Sequence, residues 1–321
     1  MPYGQKENLT TLPLRVWGEI IMNLLENIKL TFKQGDTLIK LIYINVGVFL
    51  LLNIARILLT LFNASDIFEP MLKLLAVPAD LPALLHRFWT PISYMFLHLG
   101  FFHILFNMLC LFWLGRIFLS VYSERHLVGL YFVGGLIAAL FYVAAFNIFP
   151  YYASRFDSET ILLGASGSVI AIIVASATRL PNMEIRLLLL GGVKLKYVAI
   201  GVILMSFFGT TSANAGGEWA HLGGALTGYL FIVFLNKGTD ITAWMNKILD
   251  AIVNLSKPRK MRVKKVKYNA TQQTRKMTDE EYNMNKARNM AEIDRILDKI
   301  KESGYDSLTA DDKRRLFEQK R

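Results

Sequence analysis

Three short polar stretches interrupt otherwise apolar sequence, and each holds side chains able to attack a carbonyl, move a proton or hydrogen-bond a developing charge. The first is HILFN, 103–107, where a spacing of four puts the imidazole of His103 and the amide of Asn107 on one face of a helix. The second is GASG, 164–167, a flexible approach that delivers Ser166 to the start of an apolar helix. The third is AHLGGALTG, 220–228, in which His221 is followed by Gly224 and Gly228 on the same face. Small residues four apart let two helices approach closely, as a contact between a hydroxyl on one helix and an imidazole on another requires. That contact matters because a serine hydroxyl is a poor nucleophile until a neighbouring base removes its proton.

The elements that must hold these residues are apolar. Of 321 residues 53% are hydrophobic, and the mean hydropathy of +0.36 is too high for an ordinary soluble domain. Six apolar runs stand out, roughly 38–62, 102–121, 127–148, 166–178, 188–208 and 220–235. Three approach the about 20 residues a spanning helix needs. The expected fold class is therefore all-α: a polytopic membrane protein of six helices, with a membrane domain over 38–236. Residues 63–100, with Pro70, Pro78, Pro82 and Pro91, read as a structured outer loop.

Charge placement orients the scheme. The net charge of +11 is not a nucleic-acid signal, because 21 of the 36 Lys and Arg follow Leu235. Residues 1–40 carry five, 116–126 two and 179–196 four, against Lys73, Arg87 and Arg155 on the other side. Cytoplasmic loops are enriched in such residues, so both termini are expected in the cytoplasm, in a bacterial inner membrane. Arg56, near the outer end of the first run, is expected to snorkel. Residues 1–37 form an N-terminal segment in which Trp17, Ile20, Ile21, Leu24 and Ile28 suit either a surface helix or a solvated arm. A basic linker, 237–276, has nine cations and no acid over 257–276, which favours anionic lipid of the inner leaflet. In the tail, 277–321, Thr278 and Glu281 have capping-box spacing, Ser303-Gly304 can end the helix that follows, and a second can start at Thr309. A helical hairpin and a loose solvated helix are both open. The single cysteine, Cys110, excludes an internal disulfide, and no cofactor, metal or nucleic acid is expected.

Depth links the three stretches. His103 lies thirteen residues before Arg116, Ser166 thirteen before Arg179, and His221 sixteen before Lys237. At 1.5 Å per residue all three stand about 20 to 24 Å above the inner boundary of a core about 30 Å thick. Polar side chains at one depth on three helices converge on a site.

HILFN, GASG and AHLGGALTG, in that order on the second, fourth and sixth helices, resemble the three motifs of the rhomboid family of intramembrane serine proteases. LPNMEIRLLLLGGVKLKYVAIG, after the GASG helix, also looks familial. The resemblance covers about 38–235. It implies Ser166 as nucleophile and His221 as general base, a dyad without a third acid. It also implies an oxyanion hole made by the Ser166 N–H, His103 and Asn107, with Gly164, Gly167, Gly224 and Gly228 packing the helices around it. Substrates would be single-span or other transmembrane proteins. Two positions depart from the family: Ile170 stands where an aromatic often packs on the histidine, and only Arg87 with Trp89 approximates the Trp-Arg pair of the outer loop.

Competing readings remain. Asn107 could bond a neighbouring backbone, and His86 and His98 are structural or substrate-facing. Ser168, two residues from Ser166, points to the opposite side of its helix. Glu218, three residues before His221, could orient it, but a loop carboxylate is the expected reading. A catalytically inactive relative that binds transmembrane clients is the rival function, yet such proteins usually lose the serine or histidine. A channel would need polar residues through the inner halves of the fourth and sixth helices, which have none that ionise.

Overall fold

A computed structural model describes residues 26, 29–32, 35–153, 160–187, 191–256 and 279–318. The surface-helix residues Trp17, Ile20, Ile21, Leu24 and Ile28, the loop cation Arg155, the basic run 257–276 and the cap Thr278 lie outside them. Six apolar helices follow the six runs: α1 (Thr37–Leu61), α2 (Phe101–Leu119), α3 (Glu124–Ile148), α4 (Ser166–Arg179), α5 (Leu195–Gly209) and α6 (Ala215–Asn236). Of these, α1, α2, α3 and α6 are long and apolar enough to cross a membrane, whereas α4 and α5 have 14 and 15 residues. The chain is an all-α polytopic membrane protein.

The shortest helix is the most enclosed. α4 is buried without a break from Gly167 to Ala177, packed among α2, α3, α5 and α6. Its crossing with α6 is made by glycine: a Cβ on Gly224 would stand 2.1 Å from the Gly167 carbonyl, and one on Gly228 2.2 Å from the Ala171 carbonyl. No side chain fits there, so backbone meets backbone. α1 is peripheral; it buries Leu38, Leu41, Asn45 and Leu52 and leaves Leu50, Leu51, Ile54, Ile57 and Leu61 exposed, as a lipid-facing helix can.

Residues 62–100 form short helices over Phe68–Lys73, Leu81–His86 and Thr90–Ser93, plus a strand, β1 (Val77–Pro78). β1 pairs antiparallel with β2 (Ile161–Leu162), Val77 facing Leu162, so the segment just before α4 is tied to this loop. α3 pins both. Tyr131 Oη donates to the Met95 carbonyl at 3.0 Å, Tyr142 Oη to Thr160 at 2.9 Å and Asn147 Nδ2 to Ala79 at 2.9 Å, while Tyr94 Oη donates back to Gly135 at 2.6 Å. The Arg56 guanidinium lies over the Phe68 ring, 5.8 Å from the centroid.

At the other end ion pairs join the helices. Arg116 pairs with Asp36, the N-cap of α1, and Arg125 with Asp250. Glu124 accepts from the Thr37 backbone at 3.1 Å.

Three expectations are corrected here. The helix of the fifth run begins at Leu195, after β3 (Glu184–Leu187) and β4 (Gly191–Lys194), which pair antiparallel. Gly191, with φ of +70°, and Gly192 disfavour helix, and the pairing sets Glu184 opposite Lys194. α6 begins at Ala215, five residues before 220; its first turn, with two glycines and Glu218, escapes a count of apolar residues. The chain beyond 236 is not uniformly polar either. A helix, α7 (Ala243–Ser256), exposes Trp244, Ile248 and Leu255 on one side and sets Lys247 and Asp250 elsewhere on its circumference, the pattern of a helix lying in a membrane interface.

Contacts divide the chain into two compact units, 1–258 and 259–321. The second is the hairpin alternative: α8 (Asp279–Ser303) and α9 (Ala310–Glu318) pack on Ile296 and Leu308. Thr309 and Asp312 cap α9 reciprocally, at 3.1 and 3.2 Å, and Lys299 bonds Asp312 at 3.2 Å. Hydrogen bonds to the carboxylate from the side chain and then the backbone of Thr309, and from Lys299, hold the Asp312 carboxyl well below the usual range, at about 2.

The glycine crossing can be tested. Gly228→Leu must push α4 and α6 apart, which costs about 1–3 kcal/mol or more by overpacking. Its thermal midpoint in detergent should fall clearly, whereas Gly201→Ala, where a Cβ meets nothing within 4 Å, should leave the midpoint unchanged or raised.

Candidate active site

Ser166 is the first residue of α4, where helix N–H groups have no partner within the helix and the dipole is positive. Gly164, with φ of +126°, turns the chain into it, and its N–H donates to the Tyr94 carbonyl at 2.9 Å. A side chain at Gly164 would meet the His103 ring at 3.0 Å, so the missing Cβ is what lets α2 bring that imidazole beside Ser166. On α6, two turns into the helix, His221 places Nε2 2.9 Å from Ser166 Oγ. Both side chains are partly exposed, into two cavities that meet at this pair. One, about 290 Å³, is half polar and lined by His103, Tyr142, Thr160, Asn214 and Gly217; the other, about 330 Å³, is walled by Phe106, Val169, Ile170, Ile173, Val202 and Met205 from α2, α4 and α5.

The remaining expected residues sort as follows. Asn107 is buried and lines the apolar cavity, but its Nδ2 donates to the His103 carbonyl at 3.0 Å and lies 3.4 Å from His98 Nε2. Both the backbone bond and the place beside Ser166 are therefore real. Ser168 faces α3, against Gly135, and Ile170 lines the apolar cavity. His86 bonds Pro82 in its own helix at 2.8 Å. Arg87 and Trp89 donate to the carbonyls of Lys73 and Leu74, both at 2.8 Å, and so hold the loop together.

Two residues were undervalued from the sequence. His98 is fully buried, its Nε2 3.5 Å from the backbone N–H of Ala165, directly before the serine, and its ring edge-on to His103 at 5.0 Å between centroids. It is not substrate-facing. With Asn107 and Ala165 both offering N–H, Nε2 is the acceptor and the ring is neutral; burial, and then His103, lower its pKa from 6.5 to about 4. Glu218 is not a loop carboxylate. It lies in the first turn of α6, with Oε2 3.2 Å from His221 Nδ1, and Ser206 Oγ of α5 stands 3.1 Å from the same nitrogen. Glu218 misled because its position depends on where α6 starts; the signal available was the spacing of three.

The site is thus a hydroxyl bonded to an imidazole at the positive end of a buried helix, between a half-polar cavity and an apolar one. Residues 85–238 match the model of the Rhomboid domain. The chain belongs to the rhomboid family. No curated protein matches the sequence. The tail of this rhomboid protein, residues 267–319, matches a Family of unknown function (DUF6576).

The buried imidazole makes stability depend on pH. Above pH 6.5 His98 is neutral whether the chain is folded or not; as pH falls from 6.5 towards 4 the unfolded chain takes up a proton that the folded one refuses, so stability declines through that window. The thermal midpoint of the purified protein should drop across it, and His98→Gln, which keeps an acceptor but does not titrate, should make the drop shallower.

Proposed function

We propose that this rhomboid protein is a serine endopeptidase that cuts transmembrane proteins within the membrane, with Ser166 as nucleophile and His221 as general base. The observation that carries the reading is the 2.9 Å contact between His221 Nε2 and Ser166 Oγ. An inactive relative has no need to hold that contact at the mouth of two cavities.

In this mechanism Ser166 Oγ gives its proton to Nε2 while attacking the scissile carbonyl, and the carbonyl oxygen becomes an oxyanion. The N–H of Ser166 and the α4 dipole stabilise it, supplemented by His103 at the rim and by Asn107 once its amide turns from the His103 carbonyl. His221 then protonates the leaving amine as the C–N bond breaks. Water deacylates the enzyme from the polar cavity. The apolar cavity suits a substrate segment that comes from lipid, since its wall holds exposed Phe106 and Met205.

Labelling by a fluorophosphonate and cleavage of a panel of single-span membrane proteins test this. Ser166→Ala should abolish both and Ser168→Ala should leave both largely intact. His221→Ala should be nearly as severe as Ser166→Ala, whereas Asn107→Ala should lose about 10²–10³ in rate, the cost of one oxyanion donor in other serine proteases. Cleavage that survives Ser166→Ala would show that the nucleophile is elsewhere.

We also place the protein in a bacterial inner membrane with six spans and both termini cytoplasmic, on eleven cations against three in alternate connections. The basic linker then meets anionic lipid and the hairpin tail lies in the cytoplasm. Reporters fused after Leu235 and within 63–100 should report opposite sides; the same side for both would overturn the orientation.

A further inference from the structure

Glu218 has a structural reason to be where it is. A carboxylate in the first turn of a helix is favoured by the dipole, and a residue three before another shares its face. Three further observations exceed that explanation. The carboxylate meets Nδ1, the ring nitrogen not engaged by the serine, so one imidazole joins Ser166 at 2.9 Å to Glu218 at 3.2 Å. Its other oxygen accepts from Asn214 Nδ2 at 3.3 Å. And α5 leaves room for it: a Cβ on Gly209 would stand 2.9 Å from Glu218 Cγ, so the carboxyl is packed in place, with only 18% of its side chain exposed.

We propose that Glu218 is a positioning residue for the proposed proteolysis, the third member of a Ser166–His221–Glu218 relay of hydrogen bonds; the proposal rests on the protease reading above. With Nδ1–H directed at the carboxylate, the lone pair of Nε2 is presented to the Ser166 hydroxyl. When the Oγ–C bond forms and the hydroxyl proton moves to Nε2, the ring becomes a cation flanked by a fixed negative charge. Glu218 keeps its charge throughout and takes no proton, and Nε2 later delivers its proton to the leaving nitrogen. Ser206, at 3.1 Å, gives Nδ1–H a second, neutral acceptor. Loss of Glu218 therefore leaves the tautomer partly held and removes chiefly the charge.

The size of the effect follows. Where an aspartate alone orients the histidine, replacing it by the amide costs about 10⁴ in rate through the wrong tautomer. Here, with Ser206 still available, Glu218→Gln should cost about tenfold to a hundredfold in kcat. Each tenfold of lost imidazolium stabilisation also lowers the apparent pKa of the histidine by about one unit. The titratable groups that line the cavities at His221 among the described residues are Glu218 on its own helix, His103 and Cys110 from α2 and Tyr142 from α3; α4 and α5 face it with the hydroxyls of Ser166 and Ser206.

The test uses the full-length protein in detergent, with a cleavable single-span substrate and a fluorophosphonate, over a pH series. For Glu218→Gln the expected result is a kcat at least about tenfold down, KM within about twofold, and an acid limb moved about one unit to lower pH. Wild-type kcat, or a reduced kcat with the acid limb unmoved, overturns the proposal and leaves the protease reading intact. Wild type that neither labels nor cleaves overturns both. A measurement that needs no variant is ¹⁵N NMR of labelled histidine in the unmodified protein: His221 should carry its proton on Nδ1 at neutral pH, and an Nε2–H tautomer overturns the proposal whatever the fold of the variant.

Discussion

The structure depends on one contact, the backbone-to-backbone crossing of α4 and α6. Gly224 lies against the Gly167 carbonyl and Gly228 against that of Ala171, and no Cβ fits at either place. Lipid tails are as apolar as leucine, so hydrophobic burial does little to join helices in a membrane; close packing of small residues must do it. The crossing decides the chemistry as well, because Ser166 lies one residue from Gly167 and His221 three from Gly224, the two glycines that touch. A separation of the helices large enough to admit a side chain would exceed a hydrogen bond. Fold and site thus share a single geometric tolerance.

A second constraint comes from the loops. Backbone without regular structure at membrane depth must find internal partners, since lipid offers none. Residues 62–100 and the approach to α4 solve this by giving their carbonyls to side chains: Tyr131, Tyr142 and Asn147 of α3, and Arg87, Trp89 and Ser93 of the loop itself. The effect reaches Ser166 through Gly164, whose N–H is bonded to Tyr94 while Tyr94 Oη is bonded to α3. The turn that presents Ser166, the proposed nucleophile, is therefore anchored to the most buried of the long helices.

The legible part of the sequence was the part written in residue types that are out of place. Ser166, His221 and His103 stood out as polar groups at one depth in apolar runs, Asn107 stood out by its spacing of four from His103, and the glycines that join their helices stood out by spacing. What stayed hidden was written in ordinary surface residues whose meaning depends on an element boundary. Glu218 reads as a loop carboxylate if α6 starts at 220 and as a partner of His221 if it starts at Ala215. His98 reads as a loop histidine until β1 pairs with β2 and folds the loop over Ala165. The pairing of β3 with β4 was hidden for the converse reason: apolar residues such as Ile185, Leu187 and Val193 satisfy an apolar count that cannot tell a strand from a helix over so few residues.

The length of α4 connects these points. Fourteen residues rise about 21 Å, short of a core about 30 Å thick, so with Arg179 at the inner boundary, as in the proposed orientation, Ser166 would lie inside the membrane. A longer α4 would carry the serine to the surface, where bulk water would hydrate the nucleophile and weaken the pull of the helix dipole. A shorter one would sink it beyond reach of the half-polar cavity that His103, Thr160 and Asn214 line. At its actual depth Ser166 touches water-accessible polar groups on one side and the apolar wall of Ile170, Val202 and Met205 on the other. The proposed hydrolysis of a peptide bond that arrives from lipid would need both neighbours at one atom, and a helix too short to span is the simplest way to provide them.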